Sequence, residues 1–447
     1  MTTATVRAPA GEIVGRRDGR VRRFLGVPYA EAPVGGRRFA PPVPRARFAG
    51  PFDASRHGAT SQRVPLFAVT TIPEPSVPGE DVLNLSVVAP DEPGSLPVLV
   101  WIHGGGFLAG SQASPWYDGR AFARDGVVCV TVGYRLGVDG FAPLDGVPAN
   151  LGLHDVLLAL DWVRENIAAF GGDPGRVTIA GQSAGGAAVL ALLSSPLGKG
   201  RFQRAVSLSG GLFEQDADTA RAFLGRLGAK LGVPPTRAGL GALDVERVQR
   251  AVLGLRDERG ADALIPLGPL VGDEILPIAV ADGLAVHGHD VPLLLGATAD
   301  EFDCPADPAT RATGTRLTDA LFRSACRLAA HRRRAADTGT WLYSFEWPSP
   351  VLGGAAHCID IPFFFDLLDA PGVAEALGPN PPAELAAPMH ADLVSFVRGR
   401  EPAWTRATGR LGDPAREYGR PGAPLVADTA GVFDPVTRTR AEAAAAC

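Results

Sequence analysis

Five short apolar runs, Val98 to Ile102, Val127 to Val132, Val177 to Ala180, Ala205 to Leu208 and Pro292 to Leu295, are separated by stretches with helical patterning. The runs are apolar at consecutive positions and not at every second one, so a strand built from them must be covered on both faces. Between the second and third, Leu153, Val156, Leu157, Leu160, Val163 and Ile167 fall on one helical stripe, and Gly171 and Gly172 stop it. Strands of this kind alternating with amphipathic helices predict an α/β chain, with a mostly parallel central sheet and helices on both faces. Segments 216–260 and 307–336 read as helices outside the alternation, rich in Ala, Leu, Arg and charged residues. They are expected as excursions over the carboxyl edge of the sheet, where such folds place their sites. No repeat and no long linker interrupts the pattern, so residues 1–447 read as a single domain. The tail after about residue 433, ending Ala-Glu-Ala-Ala-Ala-Ala-Cys, is expected to fray.

Composition narrows the function classes. Apolar residues at 46% and charged residues at 20% fit a folded globular chain and not a disordered one. The formal charge is −5, and Lys199 and Lys230 are the only lysines. The arginines are scattered among acids without forming a basic face, so nucleic acid is not the expected partner. The five cysteines (Cys129, Cys304, Cys326, Cys358, Cys447) are odd in number and include no close pair, which argues against a disulfide framework or a zinc site. Met1 to Arg20 holds no apolar stretch of signal length, and no run of 18 apolar residues occurs anywhere. A reducing, cytoplasmic setting away from membranes is expected, as a monomer or weak homo-oligomer.

The third strand run leads into Gly181-Gln182-Ser183-Ala184-Gly185, and a small-residue helical stretch follows. Strand, tight turn, helix is the context a nucleophile elbow requires, with glycines on either side so that the serine can stand clear on a strained backbone. Chance alone supplies ~0.2 copies of Gly-x-Ser-x-Gly in a chain this rich in glycine, so the motif needs support. A serine hydroxyl also needs a base, an orienting acid and a site for the developing oxyanion. The first strand run enters His103-Gly104-Gly105-Gly106-Phe107, whose unobstructed N–H groups, with that of Ala184, suit an oxyanion. Acid and base are expected after the serine. His331 runs into Arg332-Arg333-Arg334, and His390 lies in an apolar helical stretch. His357, in a loop after Gly353-Gly354-Ala355-Ala356, is better placed to reach over a site. Asp300 and Glu301 both follow the fifth run, and local reasoning does not separate them.

With these residues in place the chain resembles the type-B carboxylesterase family, which includes bacterial p-nitrobenzyl esterases and cholinesterases. The likeness runs from about Gly15 to Asp428. It is carried by Phe24-Leu-Gly-Val-Pro-Tyr-Ala30, Arg38-Phe39-Ala-Pro-Pro42, Glu80-Asp81-Val-Leu-Asn-Leu85, the His103 glycine loop, Gly133-Tyr134-Arg135-Leu-Gly137, Asn150-Leu-Gly-Leu-His-Asp155, Phe170-Gly-Gly-Asp-Pro174, the elbow, Ser209-Gly210 and the Gly296 to Glu301 segment. The resemblance implies an α/β-hydrolase fold and ester hydrolysis through an acyl-enzyme, with no metal or organic cofactor. It places the catalytic triad at Ser183, Glu301 and His357, and the oxyanion hole at Gly105, Gly106 and Ala184. Phe107, Gln182 and Phe302 become candidates for the substrate pocket, and Phe363 to Phe365 read as core. It also implies two buried ion pairs of architectural role, Arg38 with Glu80 and Arg135 with Asp155.

Two departures refine the expectation. The residue before the nucleophile is usually glutamate in this family and is Gln182 here, which points away from cationic substrates and toward neutral, moderately apolar small-molecule esters. Only 56 positions separate Glu301 from His357, fewer than the family pattern. A reduced helical cap and a wider or shallower pocket are therefore expected, with Thr318 to Ala336 or a partner chain replacing the missing wall. The same triad would serve an acyltransferase or a cyclising biosynthetic enzyme. A non-catalytic binding protein of this fold would lack a triad member, and all three residues are present.

Overall fold

The computed structural model describes residues 2–65, 71–92, 94–257, 265–302 and 308–434. Thirteen strands form one sheet: β1 (Thr2–Ala8), β2 (Gly11–Asp18), β3 (Val21–Pro28), β4 (Phe52–Asp53), β5 (Asn84–Pro90), β6 (Leu96–Ile102), β7 (Val128–Val132), β8 (Gly172–Gln182), β9 (Arg204–Leu208), β10 (Leu293–Thr298), β11 (Thr340–Phe345), β12 (Pro414–Tyr418) and β13 (Val426–Ala430). Their order is β1-β2-β3-β5-β7-β6-β8-β9-β10-β11-β12-β13, with β4 beside β2. Every neighbouring pair from β7 through β12 is parallel, and antiparallel strands close both flanks. This is an α/β-hydrolase fold.

The five apolar runs all become central strands, and their side chains divide between two cores as a period of two requires. On β6, Val98, Val100 and Ile102 face one apolar cluster, while Leu99 and Trp101 face the other. The helix Leu151–Asn166 lays Val156, Leu160 and Val163 on the first face and ends through a 3₁₀ turn, Ile167–Phe170, at Gly171 with φ +91°. The second face is covered by Phe363, Phe364 and Phe365 and by the helix Ala383–Val397, with the Phe365 ring edge-on to Trp101 at 4.8 Å. His390 on that helix is tied to the Phe364 carbonyl and to Asp125, a structural role.

Three features differ from the sequence expectation or extend it. The edge strand β1 gave no apolar run, because only one face is buried: Ala4, Val6 and Ala8 alternate with exposed Thr3, Thr5 and Arg7. Arg135 and Asp155 form the expected buried pair, with Nη2 2.6 Å and Nε 2.8 Å from the two carboxylate oxygens. Arg38, however, does not pair with Glu80. It meets Asp139 at 3.0 Å, on the short helix Gly137–Phe141, while Glu80 lies exposed on a surface loop. A guanidinium that is mostly buried takes the carboxylate available at its own depth. The excursions form helices Ala217–Leu231, Arg237–Gly241, Val245–Asp257, Pro308–Thr318 and Ser324–Arg332; residues 258–260 and 307 and the expected frayed tail lie outside the described residues. Among the described residues, no helix is long and apolar enough to cross a membrane.

Candidate active site

Strand β8 delivers Ser183 into a turn with φ +57° and ψ −124°, and the helix Ala184–Leu193 starts at the next residue. The turn is fixed by backbone bonds: the Ser183 N–H donates to the Leu208 carbonyl at 2.9 Å, and its own carbonyl accepts from Ala187 at 2.8 Å. Both flanking glycines are obligatory. A Cβ on Gly181 would lie 2.4 Å from the Gly185 carbonyl oxygen, and one on Gly185 would lie 2.0 Å from that of Ile102. Packed this way, the elbow residues are buried except for Ser183, which retains accessible surface.

The glycine loop after β6 lies directly on the elbow, since a Cβ on Gly104 would sit 3.0 Å from Ser183 Cβ. Gly105 and Gly106 have φ of +107° and +61° and partial exposure. Among the described residues none accepts a hydrogen bond from the N–H of Gly105, Gly106 or Ala184. The loop is braced from below. Tyr134 donates its hydroxyl to the His103 carbonyl at 2.9 Å and stacks on the imidazole at 4.6 Å, and burial pulls the His103 pKa down to about 4, leaving it neutral. Phe107 is fully buried against Phe141 at 4.8 Å, so its ring belongs to the core under the loop.

Beyond β10 the two adjacent carboxylates have different partners. Glu301 accepts the Thr298 N–H at 2.9 Å through one oxygen and is hydrogen-bonded to His357 Nδ1 through the other. Asp300 holds the histidine loop: its N–H donates to the Ala355 carbonyl at 3.0 Å, and its carboxylate accepts the Ala355 N–H at 2.8 Å. A further bond, His357 N–H to the Glu301 carbonyl at 3.0 Å, fixes the loop in register. Burial by itself would lower the imidazole pKa; the adjacent Cys358 sulfur and the Glu301 carboxylate act the other way and hold it well above its ordinary value. Burial pushes the Cys358 thiol up as well, so it stays neutral near pH 7 and Glu301 supplies the charge.

The open side of His357 is aromatic. Phe302 and Phe322 each lie with ring centroids 5.1 Å from the imidazole and 5.5 Å from each other. Phe322 comes from a π-helical turn, Asp319–Arg323, inside the stretch expected to replace the missing cap wall. Gln182 has no exposed surface, and its amide nitrogen lies 3.3 Å from His357 Nε2 and 3.1 Å from Cys358 Sγ. Phe322 and Cys358 were not singled out from the sequence as neighbours of His357, and Asp300, a candidate acid there, holds the histidine loop instead. Phe322 lies within the π-turn, a departure from the 3.6 period that a periodicity reading does not register. Among the described residues, no group of three or more His, Cys, Asp or Glu is arranged to hold a metal ion.

Known proteins resemble this chain in both sequence and fold. Residues 2–315 match the model of the carboxylesterase family. The chain is 36% identical over 422 residues to a para-nitrobenzyl esterase of Bacillus subtilis (strain 168), covering 83% of this chain and 84% of that protein. It is 35% identical over 457 aligned positions to a probable N-octanoylanthranilate hydrolase of Rhodococcus erythropolis, covering 93% and 96%. Among solved structures, a thermophilic PNB esterase superposes with a TM-score of 0.88 at 28% identity, over 99% of this chain and all of that one. The chain is therefore an enzyme of the carboxylesterase family, a type-B member similar to the p-nitrobenzyl esterases, and its activity is of the ester-hydrolysing kind.

Proposed function

We propose that this enzyme hydrolyses neutral, moderately apolar carboxylic esters through a covalent acyl-Ser183 intermediate. The observation that carries the reading is the bond from Glu301 to His357 Nδ1, which leaves Nε2 as the basic nitrogen on a loop held beside the elbow. His357 Nε2 takes the Ser183 proton as Oγ attacks the ester carbonyl, and returns it to the departing alkoxide. It then takes a proton from water, whose oxygen attacks the acyl-serine, and gives that proton back to Ser183 as the acid leaves. Glu301 keeps the ring in the required tautomer and supports the imidazolium. The N–H groups of Gly105, Gly106 and Ala184 stabilise both tetrahedral intermediates, one such donor being worth roughly 10²–10³ in kcat in other enzymes. The steps need no metal or organic cofactor.

Substrate class rests on what surrounds the histidine. Gln182 is uncharged and buried, and the walls nearest His357 are the Phe302 and Phe322 rings. An apolar acyl or aryl group suits such walls, and nothing at Gln182 attracts a cation. One relative is named for hydrolysis of an N-acyl aromatic amine, so anilides belong beside esters in any screen. A single catalytic domain is supported by the one sheet that runs from β1 to β13, and a cytoplasmic setting by the free thiols of Cys129, Cys326 and Cys358. Ser183→Ala is expected to abolish turnover of p-nitrophenyl acetate and butyrate with an unchanged circular dichroism spectrum. Retention of most activity by that variant would exclude the mechanism. A series of p-nitrophenyl esters from C2 to C12, with amides and lactones, would define the substrate, and products formed with added alcohol or amine would separate hydrolysis from acyl transfer.

A further inference from the structure

Seven non-glycine residues among those described are held at positive φ, and four of them gather around the elbow: Phe107 (+59°), Ser183 (+57°), Ser209 (+47°) and Cys358 (+77°). Strain at Ser183 belongs to the nucleophile turn. Cys358 has no such role, and a side chain in that region costs about 1–2 kcal/mol that glycine would avoid. Its sulfur is nonetheless engaged, accepting the Gln182 Nε2–H at 3.1 Å. The same nitrogen lies 3.3 Å from His357 Nε2, and Gln182 Oε1, also buried, has no partner among the described residues. The amide is thus fixed at one end only, between the thiol and the ring.

We propose that Cys358 is a positioning residue: its sulfur anchors the Gln182 amide with the N–H side toward His357 Nε2, and the pair sets the aim and basicity of that nitrogen. The inference rests on Ser183 and His357 being nucleophile and base. An N–H directed at Nε2 favours the neutral ring with its lone pair available, and at 3.3 Å it orients the ring without capturing the lone pair. Without the sulfur, the amide is free to turn over and present Oε1, which accepts a hydrogen bond from the imidazolium and favours the charged, inactive form. The titratable groups facing the imidazole are Glu301, Cys358 and Asp360. Behind them Tyr343 donates to Asp360, and Tyr117 and Cys326 lie within electrostatic reach of Cys358 and Glu301 respectively, each of the three pushed up by burial and neutral at pH 7. Asp360, pushed up to about 7, titrates in the same range as the histidine and has to be controlled for.

The test compares Cys358→Gly, Cys358→Ala and Cys358→Ser with the unaltered enzyme, using the pH dependence of kcat and kcat/KM for p-nitrophenyl acetate between pH 5.5 and 9. Cys358→Gly is expected to melt at the same or a higher temperature, because the strain is relieved. Its kcat should fall about tenfold, the worth of one hydrogen bond, with KM little changed and the acid limb displaced from its original position, because the freed Gln182 Oε1 raises the imidazole pKa while loss of the sulfur lowers it. Cys358→Ala should show the same loss, and the displacement should persist in an Asp360→Asn background. Cys358→Ser, whose hydroxyl accepts the same N–H, should recover most of the rate and the original limb. A Gly variant with unchanged kcat and pH profile, or a Ser variant no better than Ala, would overturn the proposal. Ser183→Ala measured alongside separates the two levels: its inactivity with an unaffected Cys358→Gly overturns the positioning role alone, whereas turnover that survives Ser183→Ala overturns both.

Discussion

Glu301 and Asp300 are chemically alike and adjacent, yet the turn after β10 sends one carboxylate to the imidazole and the other to the Ala355 backbone. Their amides should therefore behave differently. Glu301→Gln can reverse the preferred tautomer of His357, and its kcat/KM is expected to drop by up to about 10⁴, the loss seen when a triad acid becomes an amide in another serine enzyme. Asp300→Asn keeps an oxygen for the Ala355 N–H and should lose less than about tenfold. The opposite ranking in steady-state assays would reassign the acid. The pH profile carries a second sign. As the proposed base, His357 would act only when neutral, and the Cys358 sulfur and the Glu301 carboxylate hold its pKa well above the ordinary value, so the acid limb of kcat/KM should lie above pH 6.5. Removing the carboxylate destabilises the imidazolium, and the residual activity of Glu301→Gln should have its limb at lower pH.

How much of each strand and helix could be read beforehand depended on how many of its faces are buried. β6, β9, β10 and the part of β8 from Val177 onward are covered on both sides and stand out as apolar runs, whereas β1 and β2 leave alternate residues exposed or half-buried and carry arginines and threonines that resemble loop composition. Ion pairs divided in the same way. Arg135 and Asp155 are joined by two side-chain bonds with almost no exposure, and Arg135 also donates to the Ala40 carbonyl at 2.7 Å, linking the strand β7 exit, the helix Leu151–Asn166 and the N-terminal loop. Asp155→Ala leaves that guanidinium buried and unpaired, and should cost about 3–5 kcal/mol in denaturant unfolding. Glu80→Ala, by contrast, removes an exposed carboxylate and should stay within about 0.5 kcal/mol of the unaltered enzyme. The Arg38 partner was illegible because position along the chain gives no depth, and depth chose Asp139.

At the scale of the whole molecule, burial beneath the site leaves an acid, Asp360, away from solvent. Asp360 has no exposed surface; one carboxylate oxygen accepts the Tyr343 hydroxyl at 2.9 Å, and the other has no partner among the described residues. Burial, and next the charge of Glu301, push its pKa to about 7. The folded chain then binds a proton that the unfolded chain has released, over the window from about pH 4 to about pH 7, so stability falls as pH rises through it. Asp360→Asn cannot titrate. The stability of the unaltered enzyme relative to this variant should therefore decline by about 4 kcal/mol between pH 4 and pH 7.5 and be flat beyond. Urea unfolding at intervals across that range measures it, and a constant difference would show that Asp360 is ionised throughout.

Local chemistry along the chain was enough to specify the parallel core, the glycines that permit the Ser183 turn, and the glycine loop that faces it. Those features depend on hydrophobic period and on backbone conformations open to few residue types, and both are properties of short segments. The choice of Glu301 over Asp300, of Asp139 over Glu80, and of Phe322 and Cys358 as neighbours of His357 was made by the fold. Each depends on burial depth, on the direction a turn imparts to a side chain, or on distances between segments far apart in sequence. These quantities exist only once the sheet has brought β8, β9, β10 and β11 side by side.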